Sequence, residues 1–229
     1  VEISIIEEEQ PRWLSFLNDE HDFVELLPAE FVDSALPKGK IAPNLAKRGI
    51  HGYRSLRSDI AIILFNMEDP TVGGYTPAKV ALRRAINLGL NVDREIRLAR
   101  HNQAIPANGP TVPHTVGYDT RFKSENSDYS PPKARALLDM HGFVDKDGDG
   151  WRDMPDGSPL LLVMNTQPDG LSRKLDELRK KDMDALRIKF EFKTAKWPEN
   201  LKSARAGSYQ MWPVGSSAAS PDGQTALAR

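Results

Sequence analysis

Cysteine is missing from all 229 residues. Its absence excludes disulfides, thiolate nucleophiles and cysteine-ligated metals together, and it leaves the redox compartment open, because a reducing cytosol and an oxidising periplasm both tolerate such a chain. No apolar run approaches the roughly 18 residues that a membrane helix requires. No signal peptide precedes Val1, and a first residue other than Met is the mark of a mature or excised chain. An excess of one charge is also lacking: 31 Lys and Arg face 32 Asp and Glu. No global field therefore draws nucleic acid or an acidic membrane surface, and a nucleic-acid partner is not expected.

Catalytic constellations are equally scarce. The five histidines, His21, His51, His101, His114 and His141, have no partner at zinc spacing and read as solvated or packed residues. VGGYTPAK has two glycines but lacks the Gly-Lys-Ser/Thr ending that cradles phosphates, and no GxSxG elbow occurs. The pairs Arg83/Arg84 and Lys180/Lys181 fall on predicted helices and read as solvated faces. Trp197, Tyr209 and Trp212 fit a core more readily than a ligand platform. There are no internal repeats, and biased composition is confined to one acidic loop and the closing GSSAASPDG.

What remains is a chain with 39% hydrophobic and 28% charged residues, enough to bury a sizeable core. The spacing predicts alternating strands and helices. VEISIIEEE reads as a strand and PRWLSFLND as a helix, DFVELL at 22–27 as a second strand, and PAEFVDSALPKGK as a short helix stopped by Pro37 and Gly39. Ile60 to Phe65 is the longest β-branched apolar run and predicts a central strand covered on both faces. TPAKVALRRAINLGL carries a helical stripe behind Thr76 as cap and Pro77 at the first turn, and Asp93 is the expected cap of the next helix. Three prolines and two glycines between Ala104 and Tyr118 predict a long ordered surface loop of the kind that touches ligands. Thereafter SPPKARALLDMHGF reads as a helix, PLLLVMNTQ as a strand, GLSRKLDELRKKDMDALR as a charged amphipathic helix, IKFEFKT as a half-buried strand, and WPENLKSARAG with YQMWPVG as helix and strand. The whole chain is α/β.

DKDGDGWRDMPDG, residues 145–157, spaces Asp145, Asp147, Asp149, Asp153 and Asp156 as a calcium loop does, with Gly150 at the sharp turn and Trp151 supplying a backbone oxygen. A complete calcium-binding hand needs a second helix, whereas here Pro155, Gly157 and Pro159 lead into a strand. Two readings stay open: a calcium site on those six residues, or a tight turn in which Asp and Gly side chains and backbone satisfy one another.

FNMEDP, VALRRAINLGLNVDREI, GYD, SPPKARALLDMHGF with DGDGWRD and PDGSPLLL, and YQMWPVGSSAASPDG resemble, in that order, successive landmarks of extracellular solute-binding proteins of family 5, the oligopeptide, dipeptide and nickel receptors of ABC importers. The opening RWLSFLNDEHDFVEL is similar to a family segment as well, so the resemblance covers essentially the whole chain. It implies a type II periplasmic-binding-protein-like lobe, a mixed sheet flanked by helices within an incomplete bilobed receptor. Residues 1–63 would be a portion of the first lobe with the crossover, and 64–229 the second, ligand-clamping lobe, truncated at its C-terminus. It further implies an exported, periplasmic monomer that traps a peptide or other small solute between lobes, hands it to a membrane permease and performs no chemistry on it. No cofactor is required; calcium is possible. Asn66, Trp212, Ser216, Ser217 and Asp222 are the implied ligand contacts. In peptide-binding members the closing segment resembles Gly-Trp-x-Ala-Asp-Tyr, whose Asp neutralises the peptide amino terminus; here Ala219 stands at that place and Asp222 is the nearest substitute. The alternative reading is a calcium-stabilised structural or interaction module, and a hydrolase ranks third for want of a nucleophile and base.

Overall fold

The structure, a computed structural model, describes residues 1–6, 8–124, 128–218 and 220–222. Apolar side chains gather into two clusters with no member in common. The smaller centres on Trp13, Ala35, Ala42 and Leu45, against which Phe16, Val24, Leu27 and Phe31 pack. It is built from α1 (Glu9–Leu17), the short α2 (Val32–Ala35) and α3 (Pro43–Lys47). Trp13 stacks on Phe16 at 5.5 Å between ring centroids, an i, i+3 pair on one helix face.

The larger cluster holds a four-stranded sheet in the order β1-β4-β2-β3, with β1 at Asp59–Phe65, β2 at Leu161–Thr166, β3 at Lys189–Thr194 and β4 at Met211–Ser217. β1 and β4 pair antiparallel, while β2 runs parallel to both β3 and β4, so the sheet is mixed. The parallel strands are joined through helices, as parallel connections require: α7 (Gly170–Ala185) links β2 to its neighbour β3, and α8 (Trp197–Arg205) carries the chain from β3 past β2 to β4. Leu82 and Ile86 of α4 (Pro77–Gly89), Leu138 of α6 (Pro131–Met140) and Met183 of α7 meet Leu162, Met164, Phe190 and Met211 from the sheet. Two of these helices start on side-chain caps: Thr76 accepts from the Lys79 amide ahead of Pro77, and Asp169 accepts from the Ser172 amide.

Several expectations are corrected. Residues 1–6 and 22–27 form no strand; Val24 and Leu27 pack against the smaller core instead of pairing. The short helix expected to stop at Pro37 is a 3-10 turn (Ala29–Phe31) running directly into α2 and ending at Leu36, with a separate 3-10 turn at Pro37–Gly39. Asn91, not Asp93, caps α5 (Val92–Leu98), accepting from the Arg94 amide. β1 is an edge strand and not a central one: its sole strand partner among the described residues is β4, and Ile62 remains 38% exposed. Arg83, read as solvated, donates to the carbonyls of Val72 and Gly74 and braces the loop between β1 and α4.

A polar seam fastens α7. Arg179 holds Glu95 of α5 through two bonds of 2.9 and 3.2 Å, and Arg94 reaches Asp182 at 2.6 Å. Asn200 of α8 donates to the carbonyls of Thr166 and Ala195. Asp176 accepts from the Thr166 hydroxyl at 2.6 Å, but its second oxygen has no partner although the residue is only 9% exposed. Burial therefore raises its carboxyl to about 6, with Asp169 and Glu95 adding to the rise and the Thr166 hydroxyl and Arg179 opposing it. The folded state thus holds this proton more tightly than the unfolded chain, so stability falls as pH rises between about 4 and 6 and the cost is fully present above that window. Asp176→Asn is expected to melt roughly 3 °C or more above the parent at pH 8, with the gap narrowing towards pH 4; a constant gap across that range in thermal melts would contradict the assignment.

Candidate functional site

The antiparallel ladder of β1 and β4 carries four of the five implied ligand residues at or near its two ends. Its register runs from Asp59↔Ser217 to Phe65↔Met211, so Leu64 faces Trp212 and Ile60 faces Ser216. Trp212 and Asn66 therefore occupy one end, and Ser216, Ser217 and Asp222 lie at or beyond the other. Four residues of strand separate Trp212 from Ser216, roughly 13 Å at the strand rise. The five residues form two groups, not one constellation.

At the first end, Asn66 is fully engaged: its amide nitrogen donates to the carbonyls of Gly207 and Tyr209 at 2.9 Å each, and its oxygen accepts from the Glu68 amide. It ties the α8–β4 turn to the end of β1. Trp212 is 4% exposed and packs against Trp197, 42% exposed, with 5.1 Å between ring centroids. The inner tryptophan is core, as its neighbours suggested, and the outer one presents an aromatic face.

At the other end, Ser216 is half-buried and Ser217 and Asp222 are exposed. Ala219, the position that differs from the peptide-binding pattern, lies outside the described residues. Ser58, His114, Ala218, Ser220 and Pro221 line an open recess of about 230 Å³ beside these residues. The loop expected to touch ligand thus reaches this end of the ribbon through His114, whose ring nitrogen lies 3.0 Å from the Leu56 carbonyl. Spacing in the sequence carries no signal for Ser58 or His114, because each acts on a backbone carbonyl about 55 residues away.

The acidic loop resolves into turn chemistry. Asp145 accepts from the amides of Gly148 and Gly150 at 2.7 and 2.9 Å, Asp147 from that of Asp149, and Asp149 from that of Trp151. Gly148 and Gly150 have φ of +81° and +90°, the left-handed backbone that glycine adopts freely. Asp149 also binds the Lys189 ammonium at 2.7 Å, and these bonds hold its carboxyl below the usual range. Asp153 is buried and accepts from the Lys146 amide, while Asp156 accepts from the amide and hydroxyl of Ser158. Only Asp145, Asp147 and Asp149 bring carboxylate oxygens within 4.8 Å of one another among the described residues. Asp153 and Asp156 lie outside that group of three and serve the turn instead. Arg152 anchors the turn by donating to the Leu186 and Phe143 carbonyls and to Asp139.

This layering, a mixed sheet clothed by helices and fed by a two-stranded ribbon, is that of a type II periplasmic-binding-protein lobe. The chain belongs to the bacterial extracellular solute-binding proteins, family 5, whose middle-region model matches residues 1–229. It is 31% identical over 132 residues to di/tripeptide-binding protein 2 of Pseudomonas aeruginosa (strain UCBPP-PA14), covering 57% of this chain and 22% of that protein. Its fold is similar to that of the oligopeptide-binding protein AppA from Bacillus subtilis, in complex with a nonapeptide (TM-score 0.76, 14% identity, 93% of this chain and 40% of that one). It is also similar to the periplasmic binding protein DppA from Helicobacter pylori, in complex with the peptide STSA (TM-score 0.75, 21% identity, 97% and 38%). The chain spans about a fifth of the curated relative and about two fifths of these solved structures.

Because the loop's carboxylates are already satisfied by backbone amides and Lys189, calcium added to chelator-treated protein is expected to leave the melting temperature unchanged and to release no heat in calorimetry. A rise of several degrees at millimolar calcium would place an ion among Asp145, Asp147 and Asp149.

Proposed function

We propose that this chain is part of the substrate-binding component of an ABC importer, working in the periplasm as a monomer. It supplies one wall of the cleft that closes on a peptide-like or other small solute before delivery to a membrane permease. The observation that carries this reading is the family match across residues 1–229, joined to a fold with two separate apolar cores. The segment between them, residues 51–57, has no regular structure and suits a crossover. On this reading residues 1–63 belong to the first lobe with its crossover and 64–229 to the second. Closure is a hinge motion of the two, and the ligand leaves chemically unchanged. The contacts now bridging the cores are few and exposed: His101 with Asp33 at 3.3 Å and Lys174 with Glu30 at 3.6 Å. Exposed pairs of this kind contribute little and leave the two bodies able to part.

Ser216, Ser217 and Asp222 are our candidate ligand contacts at the base of the cleft, with the exposed face of Trp197 over Trp212 at the far end. Native mass spectrometry of the intact receptor is expected to find a co-purified small molecule, and its scattering profile is expected to contract on rebinding that molecule. A profile unchanged by a bound solute would refute hinge capture.

Specificity follows from Ala219. A carboxylate there would give the peptide amino terminus a charge-assisted bond of about 1.5–3 kcal/mol, and alanine cannot. Acetylating the amino terminus of a bound peptide is therefore expected to change its Kd less than about threefold, where loss of such a bond costs roughly tenfold or more. A tenfold loss in a calorimetric comparison would show that another group, with Asp222 the first suspect, binds the free amine.

A further inference from the structure

We propose that the turn Val112–Val116 is a strap that binds the incoming and outgoing chains of the β1/β4 ribbon at the point where they leave the larger unit. It makes His114 and Ser58 positioning residues for hinge closure. The proposal rests on the two-lobed reading above.

The incoming chain is held twice. The His114 ring nitrogen donates to the Leu56 carbonyl at 3.0 Å, and the Ser58 hydroxyl donates to the Pro113 carbonyl at 2.9 Å. The outgoing chain is held by the Val116 amide, which donates to the Pro221 carbonyl at 2.6 Å. Between the two chains, the Ala218 amide donates to the Ser58 carbonyl at 2.8 Å and prolongs the ladder one step past the Asp59↔Ser217 pair. A single five-residue turn thus touches both chains at the same end of the ribbon.

The turn is built to keep its shape. Val112, Pro113 and Thr115 are buried. The Thr115 amide and hydroxyl both donate to the Val112 carbonyl, the hydroxyl at 2.6 Å. His114 itself adopts φ +66°, a backbone conformation that costs a non-glycine residue free energy and persists where surrounding contacts over-determine it. That cost is met by a side chain reaching across to Leu56. Both neighbours of the loop in sequence, α5 and α6, belong to the larger unit, so the strap moves with that unit.

The mechanical consequence concerns where bending occurs. With Leu56 and Ser58 fixed on one strand and Pro221 on the other, the ribbon behaves as part of the larger wall as far as those residues. On the incoming chain, rotation is then confined to the unstructured stretch before Leu56. Ser216 and Ser217, inside the strapped region, keep their geometry as the receptor opens and closes, which spares the binding wall an ordering cost on capture.

The test uses the intact receptor carrying Lys47→Cys and Lys181→Cys, both exposed and in a segment otherwise free of cysteine, labelled for interlobe distance measurement. Ser58→Ala and His114→Gly are compared with the parent, the glycine keeping the left-handed backbone while removing the ring. Both variants are expected to broaden the distance distribution. Hydrogen exchange at the Ala218 amide should be faster by roughly fivefold to tenfold, with amides of β2 unchanged. Unchanged distance widths and Ala218 exchange in both variants, or equal acceleration throughout β2, would overturn the strap. A parent that shows one narrow interlobe distance with and without trialanine would overturn the two-lobed reading and the strap with it. A parent that samples a range which both variants merely reproduce would overturn the strap alone.

Discussion

Seven consecutive residue pairs between β1 and β4 hold the architecture to its geometry. β4 registers with β2 at Met211 and Met164, so from Trp212 onward the ribbon runs past the parallel part of the sheet, supported by β1. That offset decides which groups can meet. It buries Met211 and Trp212 in the helical sandwich and carries Ser216 and Ser217 out beside the loop that follows α5. A slip of one residue in this ladder would exchange the two faces of β4, bringing Ser217 to the side now held by Trp212 and Ser216. Any solute-binding geometry built on β4 therefore inherits its accuracy from backbone pairing with β1.

How much of this could be read from sequence depended on whether the deciding interaction was local. α4 was legible because stripe, cap and first-turn proline lie within a few residues of one another, as Thr76, Pro77 and Leu82 show, and α7 because its apolar stripe recurs at helical spacing along one charged run. β2 and β3 were legible because Leu162, Met164, Phe190 and Phe192 lie at strand spacing in short apolar or alternating runs. The position of β1 in the sheet was not legible. An unbroken run from Ile60 to Phe65 reads as interior, yet the strand's place is set by β4, some 150 residues later. The apolar residues at 22–27 misled for a related reason: Val24 and Leu27, three apart, pack an irregular segment against the core around Trp13. In the acidic loop the residues were found and both roles were named, but spacing could not choose between them, since carboxylates at calcium spacing also suit the amides of Gly148, Gly150 and Trp151. The family resemblance supplied the lobe that no single motif could.

The seam along α7 places two arginines and three carboxylates, Arg94, Arg179, Glu95, Asp176 and Asp182, where apolar residues would have packed against α5 and the sheet. Buried pairs of this sort contribute little net stability, because desolvation offsets attraction. What they impose is directionality: Arg179 satisfies Glu95 through a two-pronged contact in one orientation only. α7 is thus held by geometry at its polar face and by Leu175 and Met183 at its apolar face.

The two margins of the sheet are unlike. β3 alternates Phe190 and Phe192 with Lys189, Glu191 and Lys193, and charges in that rhythm discourage a foreign strand from zipping on. β1, once past Asp59, offers Ile60, Ala61, Ile62 and Ile63 with no charge interleaved among them. In concentrated solution, this stretch expressed by itself would therefore polymerise from one side, and a capping charge introduced at Ile62 would be the simplest remedy for its insolubility.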